Sequence, residues 1–208
     1  MRTLLLMAGA LAVAEVVDRT AVIVDRDVIT TSAIDEQLRI SAFLDSKPLD
    51  LTPANRRRMA ERMVEQVLIR REMRASHYAM PAVEEADKWM AQLEKERADF
   101  AQQRAAYGVS QKALRTNLLL QLASLRFIEL RFRPGTSVTD GEIEIQYRDE
   151  YVPEWQKKNP GGTAPELDEV REEIEAGLVQ KRVDQALDQW LGQARGQAKV
   201  EFLPEAFQ

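Results

Sequence analysis

Two short β-prone segments stand near opposite ends of this chain, Ala21 to Thr30 close to the start and Ala198 to Leu203 at the finish, and nearly everything between them carries helical signals. Val22, Ile23 and Val24 are followed by Asp25-Arg26-Asp27 and then Val28-Ile29, a strand-turn-strand pattern. If the terminal segments pair, the last residues close onto the first. The expected fold is therefore mainly α: a core of about six helices closed by a small antiparallel sheet formed from N-terminal and C-terminal strands. Val22 to Thr30 should then lie beside Lys199 to Leu203 in one sheet.

Helix signals divide the interior. Thr31-Ser32 offers an N-cap, with Asp35 in capping-box position and Ile34, Leu38 and Phe43 on one apolar stripe. Thr52-Pro53 supplies a cap with proline in the first turn. From there to about His77, Met59, Met63, Val67 and Leu68 recur at helical spacing over about 36 Å. A third helix is expected from Ala82 to about Tyr107, with Val83, Ala86, Trp89, Met90, Leu93 and Phe100 on one side and Gly108 as C-cap. Ser110 caps the most hydrophobic helix, where Leu114, Leu118, Leu122, Leu125 and Phe132 are thickened by Leu119, Leu120 and Ile128, a stripe that belongs in the core. Thr139-Asp-Gly-Glu142 is a capping box for a shorter helix to Tyr151. Val152 to Pro165, rich in proline and glycine, reads as a loop, and a last helix runs from about Glu166 to Arg195.

Composition removes several function classes. The 208-residue chain has no cysteine and one histidine, so thiolate chemistry and Cys-ligated metals are excluded. With 29 basic against 34 acidic residues the net charge is −5, which argues against nucleic acid as a partner. Arg56-Arg57-Arg58 is followed by Glu61 and Glu65 at helical spacing and reads as a solvated face. Met1 to Ala14 has the layout of an export signal: Arg2, an apolar run from Leu4 to Val13, and Ala12-Val13-Ala14 before Glu15. No later run has the ~20 apolar residues of a membrane span, so an exported, periplasmic protein that is not integral to a membrane is expected.

Catalytic chemistry has few places to reside. His77 lies at a helix end beside Tyr78, the position of a capping or surface residue. Glu84-Glu85, Asp149-Glu150 and Glu172-Glu173 read as charged exteriors, and no His/Asp/Glu cluster has metal-ligand spacing. No catalytic residue, metal or cofactor is assigned.

Several motifs in order carry a family resemblance. The opening strand-turn-strand, the Thr-Ser-capped helix, Arg62-Met-Val-Glu-Gln-Val-Leu-Ile69 and Met80-Pro-Ala-Val-Glu-Glu85 resemble the start of SurA-type periplasmic chaperones. Tyr107-Gly108, Val138-Thr-Asp-Gly-Glu142, and Gln185 to Leu191 followed by Ala198 to Phe202 continue the likeness, which spans Val17 to Leu203. Relatives of this family (SurA, PpiD, PrsA) insert a parvulin prolyl isomerase after the Val-Thr-x-x-Glu motif. Here Val152 to Pro165 is far short of the roughly 50 residues a small domain needs. The resemblance thus implies a core from residue 15 to 208, in which 15–151 and 166–208 are joined by a loop in place of the isomerase. It implies an ATP-independent chaperone for unfolded segments of outer-membrane or secreted proteins. The alternatives are a helical adaptor with one folded partner, a homodimer, including one formed by exchanging terminal strands, or retained isomerase activity.

Methionine repacks around many shapes and suits a client surface. Met59, Met63, Trp89 and Met90 on the second and third helices are candidate client contacts, although the same spacing serves helix packing. Tyr151 and Trp155, in or beside the expected loop, are candidates as exposed aromatics.

Overall fold

A computed structural model describes residues 18–208. The expected export signal at Met1 to Ala14 lies outside them. The chain is mainly helical with one three-stranded antiparallel sheet of order β2-β1-β3, where β1 is Thr20–Val24, β2 is Asp27–Thr30 and β3 is Val200–Phe202. The N-terminal strand is central. It pairs with β2 through a tight hairpin and with the C-terminal strand in the register Val22↔Phe202, Ile23↔Glu201 and Val24↔Val200. The first and last strands therefore close on each other as the sequence pattern predicts.

The junction is held by one aspartate and one arginine. Asp25 turns the hairpin at φ 50°, exchanges main-chain contact with Lys199 (N to O, 2.9 Å) and accepts from the Lys199 amide through its carboxylate (2.8 Å). Arg71, reaching from the second helix, donates to Asp27 (2.6 Å), to Asp25 (2.5 Å) and to the Val24 carbonyl. One guanidinium thus fixes the hairpin turn to a helix, while Asp25 fixes the same turn to β3. Beyond the strand, the Leu203 amide donates to the Ala21 carbonyl (2.9 Å), and Arg57 stacks over Phe202 at 3.6 Å from the ring centroid.

The helices are α1 (Thr31–Leu44), α2 (Pro53–Ala75), α3 (Val83–Glu96), α4 (Phe100–Ala106), α5 (Gln111–Phe132), α6 (Asp140–Gln146), α7 (Val152–Lys158) and α8 (Leu167–Gln197). The caps at Thr52, Ser110 and Thr139 are present as the sequence suggests, the last as a reciprocal box with Glu142. The cap of α1 is Thr30, ahead of the expected Thr31-Ser32 pair. Thr30 accepts from the Ala33 amide, and Asp35 instead forms a bidentate pair with Arg56 (2.7 and 2.8 Å) that ties α1 to α2. Ser32 serves Asp18, whose carboxylate takes its amide and hydroxyl.

Three helices end in the same way, with a left-handed residue after the cap and two amides folding back on the last turn. After α1 this residue is Ser46, after α2 His77, and after α4 Gly108. His77 is accordingly the capping residue the sequence suggests: its amide reaches the Arg74 carbonyl (3.2 Å), while the Tyr78 amide reaches that of Met73 (2.9 Å).

Two expected elements are revised. The single helix expected from Ala82 to Tyr107 is broken at Arg97–Asp99, where Asp99 is left-handed. Arg97 leaves the helical path to donate to the Phe43 carbonyl (2.7 Å) and that of Leu44, satisfying the end of α1. The expected loop from Val152 to Pro165 begins instead with α7, which continues α6 through a widened turn at Tyr147–Tyr151. Pro153 has no amide to donate and its ring would crowd the carbonyl four residues back, and the widened turn relieves that conflict without ending the helix. The chain reverses only at Asn159 to Gly162, where Gly161 takes φ 83°.

Packing falls into linked clusters. The first joins the sheet to α1 and α2 around Val22, Val24, Ile34, Met59 and Val64, with Trp190 and Leu191 of α8 against it. A second gathers Phe43, Met90, Phe100, Leu114 and Leu118, with Phe43 edge-on to Phe100 at 5.1 Å. A third, around Met73, Ala123 and Phe127, also touches Trp190. A fourth holds α6 on the first half of α8 through Ile143, Val170 and Ile174. At about 1.5 Å per residue α8 is long enough, roughly 46 Å, to run from this fourth cluster back to the body and deliver β3 to the sheet.

Acid should loosen this closure. The Lys199 amide and then Arg71 hold the Asp25 carboxyl below its ordinary value, and the Ser32 and Thr30 hydroxyls hold Asp18 down at about 2. Because both values are depressed by folding, their stabilisation is complete above the unfolded value near ~3.9 and is lost as pH falls through the folded values. Protection of the Glu201 and Leu203 amides, taken relative to the intrinsic exchange rate at each pH, is expected to fall below about pH 4, and Asp25→Asn should remove most of that dependence. Protection at Glu201 and Leu203 that is unchanged between neutral pH and pH 3 would contradict this.

Candidate functional site

The most hydrophobic helix has more apolar faces than one core can absorb. On α5, Leu114 and Leu118 are fully buried in the second cluster and Ala123 and Phe127 in the third. Leu120 and Ile128 are left half-buried, and Leu125 is 59% exposed. The expectation that the whole stripe lies in the core is thus corrected: the surplus leucines line a groove.

The groove lies between α5 and α2, with α1 at one end. Its central cavity, about 310 Å³, is walled by Met63 and Ile69 of α2 and by Leu120, Leu125 and Ile128 of α5. Amides run beside the apolar walls. Asn117, 9% exposed, donates to Gln37 of α1 (2.9 Å) and accepts from Gln121 one turn on (2.8 Å). This ladder leaves the Gln37 amino group and the Gln121 carbonyl without an intramolecular partner among the described residues, and Gln66 is likewise unpaired beside them. A groove with apolar walls and amides holding spare donor and acceptor capacity matches the chemistry of an extended polypeptide, which offers alternating side chains and main-chain amides.

Toward the end of α2 the groove opens into a second cavity of about 440 Å³, lined by Met73, Arg74, His77, Tyr78 and Met80, the last 49% exposed. Arg70 and Leu120 border both cavities. Arg70 is half-buried and forms no ion pair or side-chain hydrogen bond among the described residues, unlike its neighbour Arg71. Burial, and then the neighbouring Arg74 charge, push its guanidinium below the ordinary arginine value, with Asp27 acting in the opposite direction.

The candidate client residues are not assembled in one place. Met59 is 2% exposed in the first cluster, and Met90 is 7% exposed in the second, so both are packing residues as the helix-interface reading has it. Trp89 leans on the second cluster. Met63 alone of these lines the groove. Tyr151 and Trp155 are not loop aromatics. Tyr151 stacks on Tyr147 with centroids 5.9 Å apart and borders a separate, acidic cleft with Glu150, Glu154 and Glu173. Trp155 is half-buried over Gly162, where a β-carbon would stand 2.6 Å from the indole.

The residues overlooked are the polar ones, Gln37, Gln66, Arg70, Asn117 and Gln121. A sequence signal for them exists: Asn117-Leu-Leu-Leu-Gln121 places two amides one turn apart inside a leucine run, an arrangement a fully buried helix would avoid. Among the described residues no group of three or more Asp, Glu and His side chains could hold a metal ion, and no helix is long and apolar enough to cross a membrane. No protein-family model matches the chain, and no curated protein matches it.

An unpaired, half-buried charge is a stability cost. Replacing it with an unbranched apolar chain in Arg70→Met is expected to raise the melting temperature by about 2–4 °C, the equivalent of roughly 1 kcal/mol for a chain of this size. Calorimetry checks this, and a melting temperature that falls would show that Arg70 stabilises the fold by contacts other than those described.

Proposed function

We propose that the protein is an ATP-independent chaperone that holds extended, unfolded polypeptide in the groove between α2 and α5, and that its clients are outer-membrane or secreted proteins met in the periplasm. The observation that carries this reading is the pairing of partly exposed apolar walls with the partly unpaired amide ladder Gln37–Asn117–Gln121. Leu120, Leu125 and Met80 can take side chains of many shapes, while the amides take main chain that is the same in every client. The export layout of Met1 to Ala14 and the resemblance to SurA-type chaperones supply the compartment and the client class. An acidic surface keeps such an apolar groove soluble between clients.

Dilution of a denatured outer-membrane β-barrel protein into buffer, followed by light scattering, tests the proposal. The wild-type chain in molar excess is expected to suppress aggregation. Leu125→Ser combined with Met80→Ser should lose most of that effect while keeping the wild-type melting temperature, because both side chains are exposed. Unchanged aggregation in the presence of the wild type would overturn the reading. Recovery of a single folded partner in stoichiometric amount, with no effect on unfolded clients, would favour an adaptor instead.

A further inference from the structure

We propose that the groove reads the end of a chain: the free C-terminal carboxylate of a bound polypeptide pairs with Arg70, and the apolar side chain of its last residue enters the cavity lined by Met73, Tyr78 and Met80. This rests on the polypeptide-binding reading and adds direction and specificity to it.

Three placements carry the inference. Arg70 stands at the boundary between the amide-lined groove and the second cavity, so an anion there lies between a main-chain site and an apolar side-chain site. Arg70 is half-buried without a carboxylate partner among the described residues, while Arg71, the next residue, takes both Asp25 and Asp27. The remaining charge at this end is also positive, since Arg74 reaches Asp27 only at 3.9 Å and is otherwise exposed. A planar guanidinium in this setting gains most from a bidentate carboxylate.

The source of that carboxylate follows from covalent geometry. In a C-terminal residue the carboxylate and the side chain branch from one α-carbon, so an anion at Arg70 places the side chain directly in the adjoining cavity. Residues preceding it then run along Gln37, Asn117 and Gln121. An aspartate or glutamate within a chain uses its side chain for the carboxylate and brings no apolar group from the same residue. Capture of a terminal carboxylate beside a side-chain pocket is an established mode of peptide recognition. Withdrawal of Arg70 from solvent, which lowers its affinity for its proton, is the condition under which such a pair is strongest.

Fluorescence anisotropy with labelled short peptides tests this on the full chain. One peptide alternates apolar and polar residues and ends in leucine with a free carboxylate; a second is its C-terminal amide; a third is amidated with an aspartate before the leucine. The free acid is expected to bind wild type roughly tenfold or more tightly than either amidated form, the range for a hydrogen-bonded charge. In Arg70→Met, whose melting curve reports its folding, that preference should vanish, with acid and amide bound alike. Equal binding of acid and amide by wild type, or full recovery by the internal aspartate, overturns the terminal-carboxylate inference and leaves the groove reading standing. Absence of binding by all three peptides overturns both.

Discussion

The Asp25–Arg71 junction at the hairpin turn is the constraint that ties the first and last strands to α2. The carboxylate of Asp25 accepts from the first amide of the returning chain, while Arg71 clamps Asp25, Asp27 and the Val24 carbonyl to α2. Sequence-distant strands are thereby joined at one point, and the loop closed between them contains α1 to α8. Bringing such ends together carries a large entropy cost, which charge-assisted hydrogen bonds at the junction and the burial of Val22, Val24 and Ala206 beneath it offset. The arginine is surrounded by acceptors on three sides. Its neighbour Arg70, one residue away and bordering the groove, has none among the described residues.

The closure also explains where the groove can exist. With β3 tied to β1, the end of α8 is held against α2 and α5 by Trp190 and Leu191, which touch the first and third clusters at once. That contact covers one side of α5. The second cluster covers another through Leu114 and Leu118, and the third draws in Ala123 and Phe127. What remains of α5 faces α2 across the amide ladder. The groove is therefore the part of a leucine-rich helix that three packed clusters leave uncovered.

Much of this was legible in the sequence because it depends on local chemistry. Caps at Thr52, Ser110 and Thr139, the left-handed end at Gly108 and the pairing of the terminal strands all follow from residue type and spacing. The misread parts depend on partners far along the chain. Asp35 fits a capping box, yet Arg56 lies closer to its carboxylate than any local amide does. Pro153 reads as a helix breaker, yet a widened turn accommodates it. The site suffered most: Met59 and Met90 have the same helical spacing whether they face a core or a client, and only the packing of the second and first clusters decides that they face cores. Arg70 was hidden for the opposite reason, since a charged residue in a basic helix gives no sign that it is half-buried without a partner among the described residues.

Unfolded chain is proposed to lie between α2 and α5. Methyl-resolved NMR during titration with an unfolded outer-membrane protein segment measures this directly. Shifts and broadening are predicted for Met63, Leu120, Leu125 and Ile128, with Met59 and Met90 unaffected in their cores. Perturbations confined to the methyls beside Tyr151 and Trp155, or none at saturating segment, would contradict the account.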